Sequence, residues 1–453
     1  MKKKIASSFG LTLIASGLGF GFNFFIAKVL GAEIYGQISY YLSFVQILVL
    51  LISFNYAALY MGNKITQGDT NTFSLFVSVE SLAFVIVALP AWYVIDRFTD
   101  SYEITALILF SAYFSTLAIL VGLDYNADKQ VAKSILYSTV IPRAILVAVF
   151  SMVIFAGFAD ARSYLYVYLM SFVTVAGYFL VRYRPVWYIK KAFFTRAWKF
   201  YLLGIIGTSV TYIAQIAQKE YGSYEELASL SIALLLIAGL SLVGGILIKF
   251  ALPKIHEAWK ERDIAQLEKI YTTHTFLSSM VNLPILIFLL FYIEYISGFI
   301  GEGYRSLPIV FTILSVGYFF DLMTGITGTI LRATEHEHLE IYNEIFRFVV
   351  GIGLIILLRH QSYGIAYAVS ASMVIYNLFK FFQVYRLFKI KPMQLDHFAV
   401  LVVSMFAVAL VCYTATSMAQ GWLGFLIGIM VLAVYYLLSF SVMKKRVDLG
   451  VYR

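Results

Sequence analysis

Charge is scarce in this chain: 13% of its 453 residues are Asp, Glu, Lys or Arg, against 61% hydrophobic. A soluble domain carries about 25% charged residues on its surface, so a soluble globular protein is excluded. Cysteine is nearly absent. The one thiol, Cys412, lies in an apolar segment, which rules out a disulfide within the chain and reads as a small buried hydrophobe. There is no G-x-x-x-x-G-K-[ST] run, no dinucleotide fingerprint and no soluble domain to house a nucleotide, so no cofactor is expected. A metal site is not expected either, because His336 and His338 in EHEHLE would point apart on a helix at spacing two.

Long apolar runs fill the chain instead. A bilayer core takes about 20 apolar residues per helix, and such runs occur at about 8–30, 38–62, 73–95, 104–123, 135–158, 164–182, 200–217, 227–249, 272–300, 307–332, 343–358, 364–386, 398–416 and 421–443. Barrel strands would be shorter and would alternate apolar with polar. The fold class is therefore all-α and polytopic, with about 14 transmembrane helices. The basic start, MKKK, resembles a signal peptide, but its apolar stretch continues to about residue 30 without a cleavage site. It reads as a retained first helix.

The net charge of +9 raises the question of nucleic acid. The positive residues lie between the spans, so the membrane surface accounts for them, and no nucleic-acid partner is expected. About 25 of the 34 Lys and Arg fall on one side of the spans and about five on the other, which places both termini in the cytoplasm. The densest basic run, Arg182 to Lys199, combines Arg184, Lys190, Lys191, Arg196 and Lys199 with Trp187, Tyr188, Phe193, Phe194 and Trp198, and Pro185 limits helix continuation. Six spans on each side of it give two halves of equal orientation, as in parallel repeats. Lys28 and Gly31 in one half are echoed by Lys219 and Gly222 in the other. The expected domains are thus a six-helix lobe at 1–182, a cytoplasmic basic amphipathic linker at 183–199, a second six-helix lobe at 200–386, and a C-terminal helix pair with a basic tail at 387–453.

Two stretches carry a resemblance. FIAKVLGAEIYGQISYYLSFVQILVLL ends its first helix in a basic residue and Leu-Gly, then an acidic residue and Tyr-Gly; GITGTILRATEHEHLEIYNEIFRFVVGIGLIILLRHQSYGIAYAVSASMVIYNLF joins a Gly-rich helix to an Asn-bearing helix and a Gly-Ile-Ala turn. In these the chain resembles polysaccharide flippases of the O-antigen (Wzx) type, in the multidrug/oligosaccharidyl-lipid/polysaccharide exporter superfamily. The family usually has Arg where Lys28 stands, a change that keeps the charge and loses the fork geometry. The resemblance implies two six-helix lobes around a central cavity plus two C-terminal helices. It also implies a non-enzymatic flippase that moves undecaprenyl-pyrophosphate-linked oligosaccharide across the bacterial inner membrane by alternating access. Expected partners are that lipid carrier, membrane lipids, a coupling cation (Na+ or H+) and polysaccharide polymerase machinery. A cation-coupled multidrug exporter is the alternative; a membrane glycosyltransferase or polymerase would need a large loop or catalytic domain that the chain lacks.

Charges within spans mark candidate sites, because each costs about 2.5–3.5 kcal/mol at a helix centre. Asp321 in GYFFDLMTGITG is expected near the midplane, with Thr324 three residues on supplying a second oxygen for a cation or proton. Glu80 and Arg143 are expected at similar depth on helices three and five, either as an ion pair or as cavity groups. Arg143 there would be available to pyrophosphate, with Pro142 opening the helix beside it. Lys28 is either a snorkelling anchor or a cavity group. Lys380 shares a face with Asn377 and Gln383, and Gln215 shares one with Gln218, which makes both lining candidates.

Overall fold

The computed structural model describes residues 2–53, 60, 64, 71–418 and 422–446. Among these every regular element is a helix: α1 (Lys2–Ser53), α2 (Thr72–Thr99), α3 (Tyr102–Ala127), α4 (Val131–Phe155), α5 (Ala161–Tyr183), α6 (Lys191–Tyr221), α7 (Tyr224–Lys260), α8 (Ile264–Ile300), α9 (Leu307–Thr324), α10 (Thr327–Ala333), α11 (Glu337–Leu358), α12 (Gly364–Phe388), α13 (Leu395–Met418) and α14 (Trp422–Arg446). Eleven of the described helices are long and apolar enough to cross a membrane, and the protein is a multi-pass membrane protein. The chain divides into two compact units, Met1–Ala228 and Ser229–Arg453.

In the first unit, α1 is two helices joined at Gly31, whose φ of 79° leaves the helical region. That break is where the expected first and second spans meet. Past Ser53 the second expected span runs into residues outside those described, apart from Tyr60 and Lys64. Tyr60 donates to Asp124 Oδ1 at 2.5 Å, and Lys64 Nζ lies 2.5 Å from Asp124 and 2.9 Å from Asp128. Burial works against the charge on Lys64, but its bonds to the two carboxylates outweigh it and hold the ammonium above its ordinary range. In α4 the residues Leu136–Val140 form a wide turn immediately before Pro142. Proline has no N–H for a regular helical bond, and a wide turn accommodates that loss.

The basic run after α5 starts outside a helix and ends in one. Arg184 takes the left-handed conformation (φ 44°), residues 185–190 are non-helical, and Lys191 already begins α6. Its first half is docked on α2, since the Val186 and Tyr188 amides donate to Ser74 and Ser78 at 3.3 and 2.9 Å. The side chains of 191–200 lie outside the described residues.

In the second unit, the expected span at 307–332 requires correction: α9 ends at Thr324 and α10 starts at Thr327. Gly325 causes the break. Its φ is 64°, and a Cβ there would sit 2.1 Å from Thr275 Oγ1. α9 packs along α12 and α8, and α8 carries α13 and α14. Cys412 is buried in that last contact with Phe288, Tyr292 and Val408. Gly325→Ala is therefore expected to cost at least about 1 kcal/mol, because its φ of 64° with ψ of −144° is a backbone region essentially reserved for glycine. A lowered thermal midpoint in detergent, with α8 displaced at Thr275, is the observable; an unchanged midpoint would mean that the turn tolerates a side chain.

Candidate functional site

Three helices of the second unit turn polar faces toward one another. On α8, His274, Ser278 and Asn282 recur every four residues; on α7, Ser241, Gly244, Gly245 and Ile248 share one face; on α9, Tyr318, Asp321 and Leu322 share another, with Gly325 just past its end. They enclose a cavity of about 230 Å³. Gly244 leaves room at this wall, for a Cβ there would approach Ser278 Oγ at 3.2 Å.

The polar groups here are poorly satisfied by protein. His274, Asn282 and Tyr318 are 2%, 0% and 1% exposed, yet both ring nitrogens of His274, Asn282 Oδ1 and the Tyr318 hydroxyl form no hydrogen bond. His274 faces the Gly244 backbone and Tyr318 faces Ser241 without reaching bonding geometry. More than nine in ten buried polar groups in proteins are bonded, so a cluster of orphans around one cavity marks a place for water or a small ligand. Asp321 adds the negative charge. It occupies the last turn of α9, where its carbonyl accepts from Gly325 N at 3.1 Å, and the C-terminal end of an interrupted helix favours a cation. The Thr324 hydroxyl donates back to the Phe320 and Asp321 carbonyls at 2.9 and 3.3 Å, and its own carbonyl accepts from Tyr271 at 2.6 Å.

Beside this cavity lies a buried charged network. Glu340, Glu344 and Arg347 line one face of α11, and Tyr376, Lys380 and Gln383 the facing side of α12. Lys380 Nζ stands 3.6 Å from Glu340, donates to the Tyr376 hydroxyl at 2.9 Å and sits 4.0 Å above that ring. Tyr376 in turn donates to Glu344, which Arg347 approaches to 3.9 Å. Asn343 donates to Gln383 at 2.7 Å. Gly328 of α10 covers the pair so closely that a Cβ would meet Glu340 Oε1 at 2.3 Å. Asp321 lies within electrostatic range of Lys380 and Arg347, with Asn377 alongside.

The candidates of the first unit are placed separately. Arg143 Nη1 donates to the Ala15 carbonyl at 2.6 Å and lies over Gly19. Glu80 is 1% exposed and faces Thr116, with Oε2 unbonded. The two therefore do not pair, since equal depth leaves the direction around each helix undetermined. Lys28 is exposed, three residues before the Gly31 break. Gln215 accepts from Ser43 at 3.0 Å. His274, Asn282, Tyr318 and Glu340 were not singled out by the sequence pattern, although His274, Ser278 and Asn282 at spacing four are a readable signal. Among the described residues no group of three or more His, Cys, Asp or Glu could hold a metal ion.

No family model matches the sequence, and no curated protein matches it. Solved structures do. The chain is similar to the lipid II flippase MurJ in an inward closed conformation, at 15% identity and TM-score 0.70 over 97% of this chain and 99% of that one. It is also similar to an inward-facing multidrug resistance MATE family transporter of the MOP superfamily, at 13% identity and TM-score 0.63 over 83% of this chain and 94% of that one. A MATE structure in a bent conformation gives 13% identity and TM-score 0.59 over 86% and 95%. This chain therefore has the fold of these transporters, and it shares that fold with the flippase over nearly the whole of both chains.

Proposed function

We propose that the protein is a flippase that moves an undecaprenyl-pyrophosphate-linked oligosaccharide, an O-antigen or related repeat unit, across the bacterial inner membrane by alternating access. The observation that carries this reading is coverage: likeness to the MATE transporters stops at 83–86% of the chain, whereas likeness to the flippase extends over 97%. The lobes at 1–182 and 200–386 would move about the 183–199 linker, with the 387–453 helix pair beside them and both termini cytoplasmic. Lys28, Arg143 and Gln215 would meet the pyrophosphate and sugars, and Lys380 would join them on leaving Glu340. Asp321, with Thr324 beside it, would hold the coupling cation, and Glu80 is a second buried carboxyl available for coupling.

The test is genetic. Deleting the gene is expected to remove surface polysaccharide and to leave lipid-linked repeat units on the cytoplasmic leaflet, with both effects reversed by the wild-type gene. Normal polysaccharide together with new sensitivity to cationic drugs would favour the multidrug exporter instead.

A further inference from the structure

A second pocket in the same unit, with no lining residue in common with the first, is larger, about 620 Å³. It opens where α7 turns into α8 and α10 turns into α11. Lys260, Arg262 and Arg332 supply positive charge and Glu335 and Glu337 negative charge, with Trp259 as the apolar wall.

The frame is rigid. Arg262 and Glu335 both adopt left-handed backbone (φ 57° and 65°), and the turns are tied by Asp263 N to Ala258 O at 2.9 Å and by His336 N to Leu331 O at 2.9 Å. Trp259 packs edge-on against Phe388, 5.7 Å between ring centres, above a buried core that includes Ile330, Leu331 and Val384. Yet among the described residues Lys260, Arg332, Glu335 and Glu337 form no ion pair, and the Arg262 guanidinium stacks on Trp259 at 4.1 Å. Charges of both signs converge on one cavity without neutralising each other.

Depth identifies the occupant. The 25 residues of α12 extend about 37 Å at 1.5 Å per residue, somewhat more than the roughly 30 Å of hydrocarbon. Phe388 at its end, and Trp259 upon it, therefore fall in the headgroup layer, where tryptophan is favoured. Basic pockets at that level are suited to phosphate headgroups, and arginine offers a bidentate fork. The two glutamates add acceptors for an ammonium group.

We infer that this pocket binds the zwitterionic headgroup of an aminophospholipid. The phosphate lies among Lys260, Arg262 and Arg332, and the ammonium lies against Glu335 and Glu337. This is independent of the cargo. The test uses the purified full chain in detergent, with thermal midpoint read as phosphatidylethanolamine, phosphatidylcholine, phosphatidylglycerol or soluble phosphoethanolamine is added, and bound lipid counted by native mass spectrometry. Phosphatidylethanolamine is expected to raise the midpoint at least twice as far as phosphatidylcholine, whose methylated nitrogen has no N–H to donate, or phosphatidylglycerol, which has no ammonium. Arg332→Glu and Glu337→Lys, both at exposed positions, are each expected to erase that preference without lowering the lipid-free midpoint. Equal shifts for the three lipids, or a preference kept by both variants, would overturn the site. Saturation by soluble phosphoethanolamine at the same concentration would overturn the lipid as its source.

Discussion

Asp321→Asn is expected to reduce cation-driven transport at least 100-fold while the variant reaches the membrane at the wild-type level. Asparagine keeps the size of the side chain and removes the charge, so it can neither release a proton nor balance a bound cation. A buried carboxylate is costly within a membrane, about 2.5–3.5 kcal/mol on insertion scales, so its removal is not expected to destabilise the protein. Inactivity combined with an equal or higher thermal midpoint is thus the signature of a coupling group. A structural hydrogen-bonding residue would show the reverse, with stability lost and transport retained by the molecules that remain folded. The surroundings sharpen the contrast: among the described residues the His274 ring nitrogens and the Tyr318 hydroxyl have no hydrogen bond to lose, and the Asn282 amide donates to Ser278 and not to Asp321, so a loss of transport in Asp321→Asn reports the charge. Transport by reconstituted vesicles under an imposed gradient, beside a thermal melt in detergent, decides between the two.

Lys380→Met is expected to destabilise the second unit by about 3 kcal/mol or more, because removing one partner of a buried ion pair leaves the other charge uncompensated. Glu340 is 4% exposed and its Oε2 already lacks a partner. With the ammonium gone, Glu340 keeps a charge that Gly328 and α10 shield from water. Combining Lys380→Met with Glu340→Gln is expected to recover more than half of the loss, since the pair repays little beyond its own desolvation. Thermal midpoints of the two single variants and the double variant form a cycle that measures this coupling. Strict additivity would show that Lys380 and Glu340 act independently.

Most of the helices are legible in the sequence because a run of about 20 apolar residues is a one-dimensional property. The exceptions have local causes. The 307–332 run is mostly apolar on both sides of Gly325, so hydropathy passes over the break that Gly325 makes through its backbone. The 335–340 segment reads as loop from its charge, yet Glu337 starts α11 and Glu340 faces Lys380.

The site was partly legible. Asp321 stands out because a carboxylate in a membrane span needs a reason, and its helix geometry brings Tyr318 to the same wall. What one dimension does not supply is azimuth. Glu80 and Arg143 can be set at one depth from the sequence, but which way each points depends on packing, and Arg143 finds the Ala15 carbonyl instead. Likewise, His274 and Asn282 become meaningful only when α7 and α9 close around them.

The proposed cargo is a lipid-linked oligosaccharide rather than a drug. The most direct measurement is leaflet transfer in proteoliposomes, using fluorescent undecaprenyl-pyrophosphate oligosaccharide and an impermeant quencher or glycosidase to read the exposed fraction. Protein-dependent transfer by wild type, at least 100-fold slower in Asp321→Asn, is the predicted result. Transfer no faster than in protein-free vesicles, alongside gradient-driven uptake of a cationic drug by the same preparation, would contradict it.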